Sequence, residues 1–300
     1  MNCGTVKGIR NRLWHGAPKH QPATVLSLIN NHMLRWFEYG KIYRPTKEWT
    51  ATGADLGRPF EDVYFTASDG VRLNAWFFPA AADSPRAPFA VLICHGNGGN
   101  ISHRLNLCQA LLRTGVSVLV FDYRGYGRSG GKLSEEGTYR DAQAAWQWLR
   151  QRGFAAEKII ALGESLGGGI ASELALRETV GGLVLQSTFT NIADLGAEFF
   201  PWLPVRWLNT IKYDTLKKLP RVRVPVLVMH SRHDELIRFH HAEKNFAAAN
   251  QPKLFWETNG GHNHSLPGDH DQSTAGMEKF LCLVESSAGK NAACGTRGCD

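Results

Sequence analysis

Six short apolar runs constrain the fold of this chain more than any other feature. They are FAVLICHG (89–96), VSVLVFDYRG (116–125), KIIALGES (158–165), GLVLQST (182–188), VPVLVMH (224–230) and KLFWETNG (253–260). A strand with one solvated face alternates apolar and polar residues. Runs that are apolar almost throughout fit strands covered on both faces, as in a parallel sheet. Helical patterns separate them. Ile101, Leu105, Cys108 and Leu112 share one face, as do Ala142, Ala145, Trp146 and Leu149, and as do Met277, Phe280, Leu281 and Val284. Upstream, FEDVYFTASDG and VRLNAWFFP read as a hairpin turning at Asp69-Gly70. The expectation is an α/β fold: a mostly parallel, eight-stranded sheet with helices on both faces.

The segment GESLG, Gly163 to Gly167, matches G-x-S-x-G between a strand pattern and the helical SLGGGIASELALR. In that context the serine is forced into a tight strand-to-helix turn with its oxygen exposed. A serine hydroxyl is a weak nucleophile, so it needs a base, and the base needs an orienting carboxylate. Asp234 and His262 each follow a predicted strand, in the chain order serine, acid, histidine. Both therefore fall at the sheet edge where parallel sheets bind ligands. Glu235, His233 and His264 compete by proximity. His262 is preferred because Gly260-Gly261 frees the backbone before it. The glycine-rich HGNGGN, His95 to Asn100, would turn backbone N–H groups toward a developing oxyanion, with the N–H groups of Asn97 and Leu166 as donors. His95 itself reads as structural. No GK[ST] follows the loop, so it is not a phosphate cradle.

Residues 190–220 break the rhythm. They are too apolar for a surface loop and too rich in proline for one helix. They read as a small helical cap, with Phe199, Phe200, Trp202 and Trp207 as candidate substrate-binding residues. The domain plan is a basic arm over 1–40, a catalytic domain over 41–285 with this cap inserted, and an unstructured tail over 286–300. The formal charge is +7, of which residues 1–60 supply +6. That asymmetry excludes a uniformly basic nucleic-acid binder and suits an anionic surface or partner. Val25, Ile29, His32, Met33 and Trp36 fall on one side of a helix. The pattern fits either peripheral membrane contact or packing on the catalytic domain.

Cys94 and Cys108 lie in apolar stretches and read as core, so the six cysteines do not read as a disulfide framework. With no secretory signal pattern and no apolar run near 18 residues, a cytoplasmic setting is expected. His230, His233, His262, His264, Asp269, His270 and Asp271 form a suggestive metal-binding group. Their spacing fits neither H-x-H-x-D-H nor H-E-x-x-H, so neither metal nor cofactor is expected.

CHGNGGN, DYRGYGRSGG (122–131), GESLGG, the aspartate of SRHDE and GGHN stand in one order over residues 40–285. In this the chain resembles the α/β-hydrolase superfamily. Within it, PWLPVRW and VRVPVLVMH are similar to bacterial serine hydrolases related to eukaryotic protein depalmitoylases. The resemblance implies the α/β-hydrolase fold, a Ser165–His262–Asp234 triad and oxyanion donors at Asn97 and Leu166. It also implies hydrolysis of an ester or thioester of an apolar or lipid-like acyl substrate. A serine peptidase of the same fold and a membrane-docked, non-catalytic adaptor are the alternatives. Arg238 stands where the group carries proline in D-x-x-[IV]-P.

Overall fold

Each apolar run becomes a strand, and all but the edge strand at Lys253–Thr258 are buried by what covers their two faces. The structure is a computed structural model and describes residues 38–262 and 270–294. Its main sheet has eight strands: β1 (Glu61–Thr66), β2 (Arg72–Phe78), β3 (Ala90–Cys94), β4 (Ser117–Phe121), β5 (Ile159–Glu164), β6 (Gly182–Gln186), β7 (Val226–Ser231) and β8 (Lys253–Thr258). Their spatial order is β1-β2-β4-β3-β5-β6-β7-β8. The β1–β2 and β2–β4 pairs are antiparallel and the remainder parallel. All residues of β3, β4, β6 and β7 are buried, whereas β1, at an edge, alternates.

Successive side chains of a strand point to opposite faces, and this sheet uses both. Leu92, Leu119, Ala161, Leu185 and Val228 pack under α2 (Glu135–Gln151), α3 (Leu166–Arg177) and α7 (His240–Ala248). Their neighbours Ile93, Val120, Leu162, Val184 and Met229 pack under α1 (Leu105–Arg113) and α8 (His270–Cys294). Phe280 on α8 is fully buried, and a side chain of that size contributes about 1.5–3 kcal/mol by leaving water.

Between β6 and β7 lie α4 (Ile192–Phe199), α5 (Val205–Leu208) and α6 (Thr215–Lys218). Asn191 caps α4 by accepting the Asp194 N–H at 2.7 Å. Pro201 and Pro204 flank the break between α4 and α5. The tail expected from residue 286 is instead helical through Cys294 among the described residues. There the hydroxyls of Ser286 and Ser287 both donate back to the Leu283 carbonyl of the same helix. Most of the basic arm, together with His264 and Asp269, lies outside the described residues. Among the described residues no helix is long and apolar enough to cross a membrane. Cys94 and Cys108 are buried free thiols.

Candidate active site

Ser165 joins β5 to α3 with φ 53° and ψ −114°. This is a strained conformation for a residue with a side chain, costing about 1–3 kcal/mol. The surroundings enforce it. The Ser165 N–H donates to the Gln186 carbonyl at 2.9 Å. A Cβ at Gly167 would sit 1.8 Å from the Cys94 carbonyl oxygen, and one at Gly163 would sit 2.4 Å from that of Gly167. Helix and strand meet backbone to backbone, and Ser165 is left facing a cavity.

His262 stands beyond β8, just after Gly260, whose φ is +83°. Its Nε2 is 3.1 Å from Ser165 Oγ, and its Nδ1 is 2.8 Å from Asp234 Oδ2. The other Asp234 oxygen accepts the N–H groups of Leu236 at 3.0 Å and Ile237 at 2.7 Å. Burial opposes ionisation of Asp234, but the hydrogen bond and charge of His262 and the Ile237 N–H together hold its pKa below the usual carboxylate value. The geometry thus brings together Ser165, His262 and Asp234, which lie far apart in sequence.

Two neighbours of Asp234 complete the loop. The exposed Glu235 does not replace Asp234 but accepts the backbone N–H of His262 at 3.0 Å. The buried His230 donates from Nε2 to the Ile237 carbonyl at 2.8 Å and lies 3.4 Å from Asp234 Oδ2. Burial lowers the pKa of His230 and keeps it neutral.

Asn97 and Leu166 line the same cavity as Ser165 and His262. Leu166 opens α3, where N–H groups have no partner inside the helix. The Asn97 peptide is pinned. Its carbonyl accepts the Arg44 N–H at 3.0 Å and the Tyr126 hydroxyl at 2.8 Å, and its side chain donates to the Ile42 carbonyl at 3.0 Å. Arg44–Pro45 pairs in parallel with Gly98–Gly99. Arg104 donates to the Gly98 carbonyl at 2.8 Å and pairs with Glu164 at 3.1 Å, tying this loop to the residue before the serine. These ties join residues remote in sequence, and no local pattern announces them. His95 is fully buried, donates from Nδ1 to the Gly96 carbonyl at 2.7 Å and does not line the cavity.

The cavity measures about 480 Å³, and Ile192, Leu195, Phe199 and Phe200 supply an apolar wall from the cap. A smaller compartment of about 100 Å³ shares Lys41, Ile42, Ile192, Gly196 and Phe200 with it. Of the four aromatic candidates, Phe199 and Phe200 line the cavity. Trp202 and Trp207 do not; they are 78% and 91% exposed. The cap's short elements leave no continuous face to turn both tryptophans inward.

Among the described residues one group has metal-ligand composition: Glu198, His240 and His241. The Nδ1 of His241 accepts the Thr190 backbone N–H at 3.1 Å. Its Nε2 therefore carries the proton in the neutral ring and is not available as a ligand. It faces Glu198 at 3.1 Å, as His240 does at 3.0 Å. The group ties cap helix α4 to α7 and does not fit a metal centre.

The fold is shared with known proteins. Residues 90–215 match a family model described as the alpha/beta hydrolase fold. The chain is 39% identical over 224 residues to an uncharacterized protein of Mycobacterium tuberculosis, covering 74% of this chain and 79% of that one. It is 32% identical over 235 residues to the alpha/beta hydrolase domain-containing protein WAV2 of Arabidopsis thaliana, covering 71% and 76%. The Pyrococcus furiosus esterase Pf2001 superposes with a TM-score of 0.67 at 22% identity, over 80% of this chain and 98% of that one. An alpha-beta hydrolase from Vibrio vulnificus does so with a TM-score of 0.64 at 21% identity, over 89% and 95%. With its strand order, its serine turn and these relatives, the chain belongs to the α/β-hydrolase family.

Proposed function

We propose that the protein is a serine hydrolase cleaving the ester or thioester bond of an apolar acyl substrate. One observation carries this reading: an unbroken hydrogen-bonded line from Ser165 Oγ through the His262 ring to Asp234, opening onto a largely apolar cavity. Ser165 attacks the acyl carbonyl while His262 Nε2 takes its proton. Asp234 accepts from Nδ1–H, which fixes the tautomer that leaves Nε2 free to act as base. The N–H groups of Leu166 and Asn97 stabilise the tetrahedral oxyanion, each worth about 3 kcal/mol. The leaving alcohol or thiol departs with the proton from His262. A water, deprotonated by the same ring, then releases the acid. The cap wall with Phe199 and Phe200 receives the acyl chain.

An aminopeptidase of this fold would need a carboxylate to hold the substrate's ammonium, and among the described residues neither Asp nor Glu lines the cavity. A non-catalytic adaptor has no use for the Ser165–His262–Asp234 line. The test is hydrolysis of p-nitrophenyl esters from acetyl to palmitoyl by wild type and Ser165→Ala. The wild type is expected to turn over medium and long esters, and the variant to lose about 10⁴-fold or more in kcat. No turnover and no labelling by a fluorophosphonate would overturn the reading.

A further inference from the structure

We propose that the cap docks on the interface of a phospholipid bilayer through Trp202 and Trp207, so that the cavity takes its acyl substrate from the membrane. The supply of substrate rests on the serine hydrolase reading above; the surface itself does not. Among the described residues the exposed large apolar side chains are unevenly placed. Tyr64 stands on edge strand β1, with the Arg72 guanidinium 3.8 Å from its ring centre. The other five, Phe199, Trp202, Trp207, Leu208 and Leu236, belong to the cap or to the loop after Asp234. A single exposed ring needs no explanation, but a group of this kind marks a contact surface.

The group is continuous with the mouth of the cavity. Phe199 and Leu236 are exposed and also line the cavity, so they form its rim. The Phe200 ring, on the cavity wall, lies 6.3 Å from that of Trp202, edge to face. Leu208 lines the adjoining compartment with Leu203 and Val205, whereas Trp207 on the same short helix, α5, faces solvent. A protein seated on this rim would close the cavity to substrate. A bilayer seated there would supply it, because an acyl chain would pass from lipid to apolar wall without crossing water.

Ring type and charge favour the same partner. Tryptophan combines an apolar body with one N–H donor and is enriched at the level of lipid headgroups. From Phe199 to Tyr213 the chain carries Arg206 and Lys212, both exposed, and neither Asp nor Glu. The carboxylates around this segment are engaged. Asp194 lies 3.0 Å from Arg206, and Glu198 meets His240 at 3.0 Å and His241 at 3.1 Å. Glu38 accepts the N–H groups of Thr210 at 2.9 Å and Ile211 at 3.0 Å. The Arg206–Asp194 pair is exposed and therefore weak, so lipid phosphates compete for the guanidinium. The segment from Phe199 to Tyr213 contributes no charge that repels an anionic headgroup.

The test sediments the full chain with sucrose-loaded vesicles of phosphatidylcholine alone and of phosphatidylcholine with phosphatidylglycerol. Binding to both is expected, about two- to fivefold tighter to the anionic vesicles. Trp202→Ala combined with Trp207→Ala should lower the partition coefficient about tenfold or more, and Trp202→Phe with Trp207→Phe should recover part of it. Neither ring lines the cavity, so hydrolysis of soluble p-nitrophenyl butyrate should stay within about twofold in both variants, with Tm unchanged. Cleavage of a long-chain ester embedded in the vesicles should fall in step with binding. Absence of binding by the wild type overturns the docking proposal alone. If the wild type is then a dimer that the alanine variant dissociates, the face joins two copies instead. Binding that the alanine variant retains also overturns the proposal and places the membrane contact elsewhere in the chain. Vesicle binding that needs both rings, with no ester cleaved by the wild type, upholds the surface and overturns the hydrolase reading together with the supply of substrate.

Discussion

Two histidine–aspartate pairs sit at the same edge of the sheet, and they are electrostatic opposites. His262 and Asp234 follow β8 and β7 and meet at 2.8 Å. His95 and Asp122 follow β3 and β4 and approach only to 3.6 Å, with both side chains fully buried. Burial, aided by the charge of Arg104, drives the pKa of His95 down to about 3. Burial pushes Asp122 up to about 7, against the pull of the Ile101 N–H. Asp234 goes the other way: its hydrogen bonds overcome its burial and hold it ionised. Burial disfavours charge on both members of the inner pair, and His95 is wedged against Tyr123 and Tyr126. The outer pair keeps one charge, one oriented ring and a serine within reach. Residue type does not separate the pairs; the number of donors reaching the carboxylate does.

The largest effect should come from Asp234→Asn. It leaves the loop's shape but removes the acceptor that sets the His262 tautomer, so kcat on a p-nitrophenyl ester falls by about 10³–10⁴. A loss under tenfold would mean that the outer pair is as passive as the inner one. Next, His95→Ala should destabilise by about 2–4 kcal/mol in urea unfolding, by emptying a packed site. The folded fraction should keep kcat within about tenfold. A catalytic collapse with intact stability would reverse the roles assigned to the two histidines.

The third effect is one of pH. The folded-state pKa of Asp122 lies above its ordinary 3.8, so between about pH 4 and pH 7 the native protein holds a proton that the unfolded chain has released. Stability should therefore fall as pH rises through that window. Asp122→Asn should remove most of this slope, read as unfolding midpoints against pH, and an unchanged slope would assign the titration elsewhere. The smallest effect belongs to Glu235→Gln, which weakens the acceptor on the His262 N–H in an exposed loop. A fall of about two- to fivefold in kcat is expected from a hydrogen bond of this kind. A loss as large as that of Asp234→Asn would make Glu235 part of the machinery.

Much of this was legible in the sequence because it is local. Strands covered on both faces must be apolar throughout, so β3 to β7 can be read directly. The serine turn announces itself through glycines that a strand-to-helix junction requires. Asp234 and His262 were legible because they follow strands, and strand ends at one edge converge. What was not legible depends on contacts between distant segments. Trp202 and Trp207 resemble pocket residues in composition, but short elements broken by Pro201 and Pro204 carry no periodicity to say which way they face. Glu235 differs from Asp234 by one methylene and one position, and only the fold shows that it holds a backbone N–H. Nothing near Arg44 signals that it pairs beside Gly98, because that bridge spans more than fifty residues of chain.

The backbone contact beneath Ser165 has a consequence for how this chain tolerates change. A Cβ at Gly163, Gly167 or Gly168 would fall 2.4, 1.8 or 2.2 Å from its nearest neighbour, and at Gly163 and Gly167 that neighbour is main chain, which cannot rotate aside. In a saturation library selected for folded protein, those two columns should each retain a single letter, flanked by columns that accept many. Such vacancy carries as much information as any functional group. The position of the Ser165 oxygen is specified by side chains the protein does not have, and a designer who transplants this turn must transplant the blanks along with the serine.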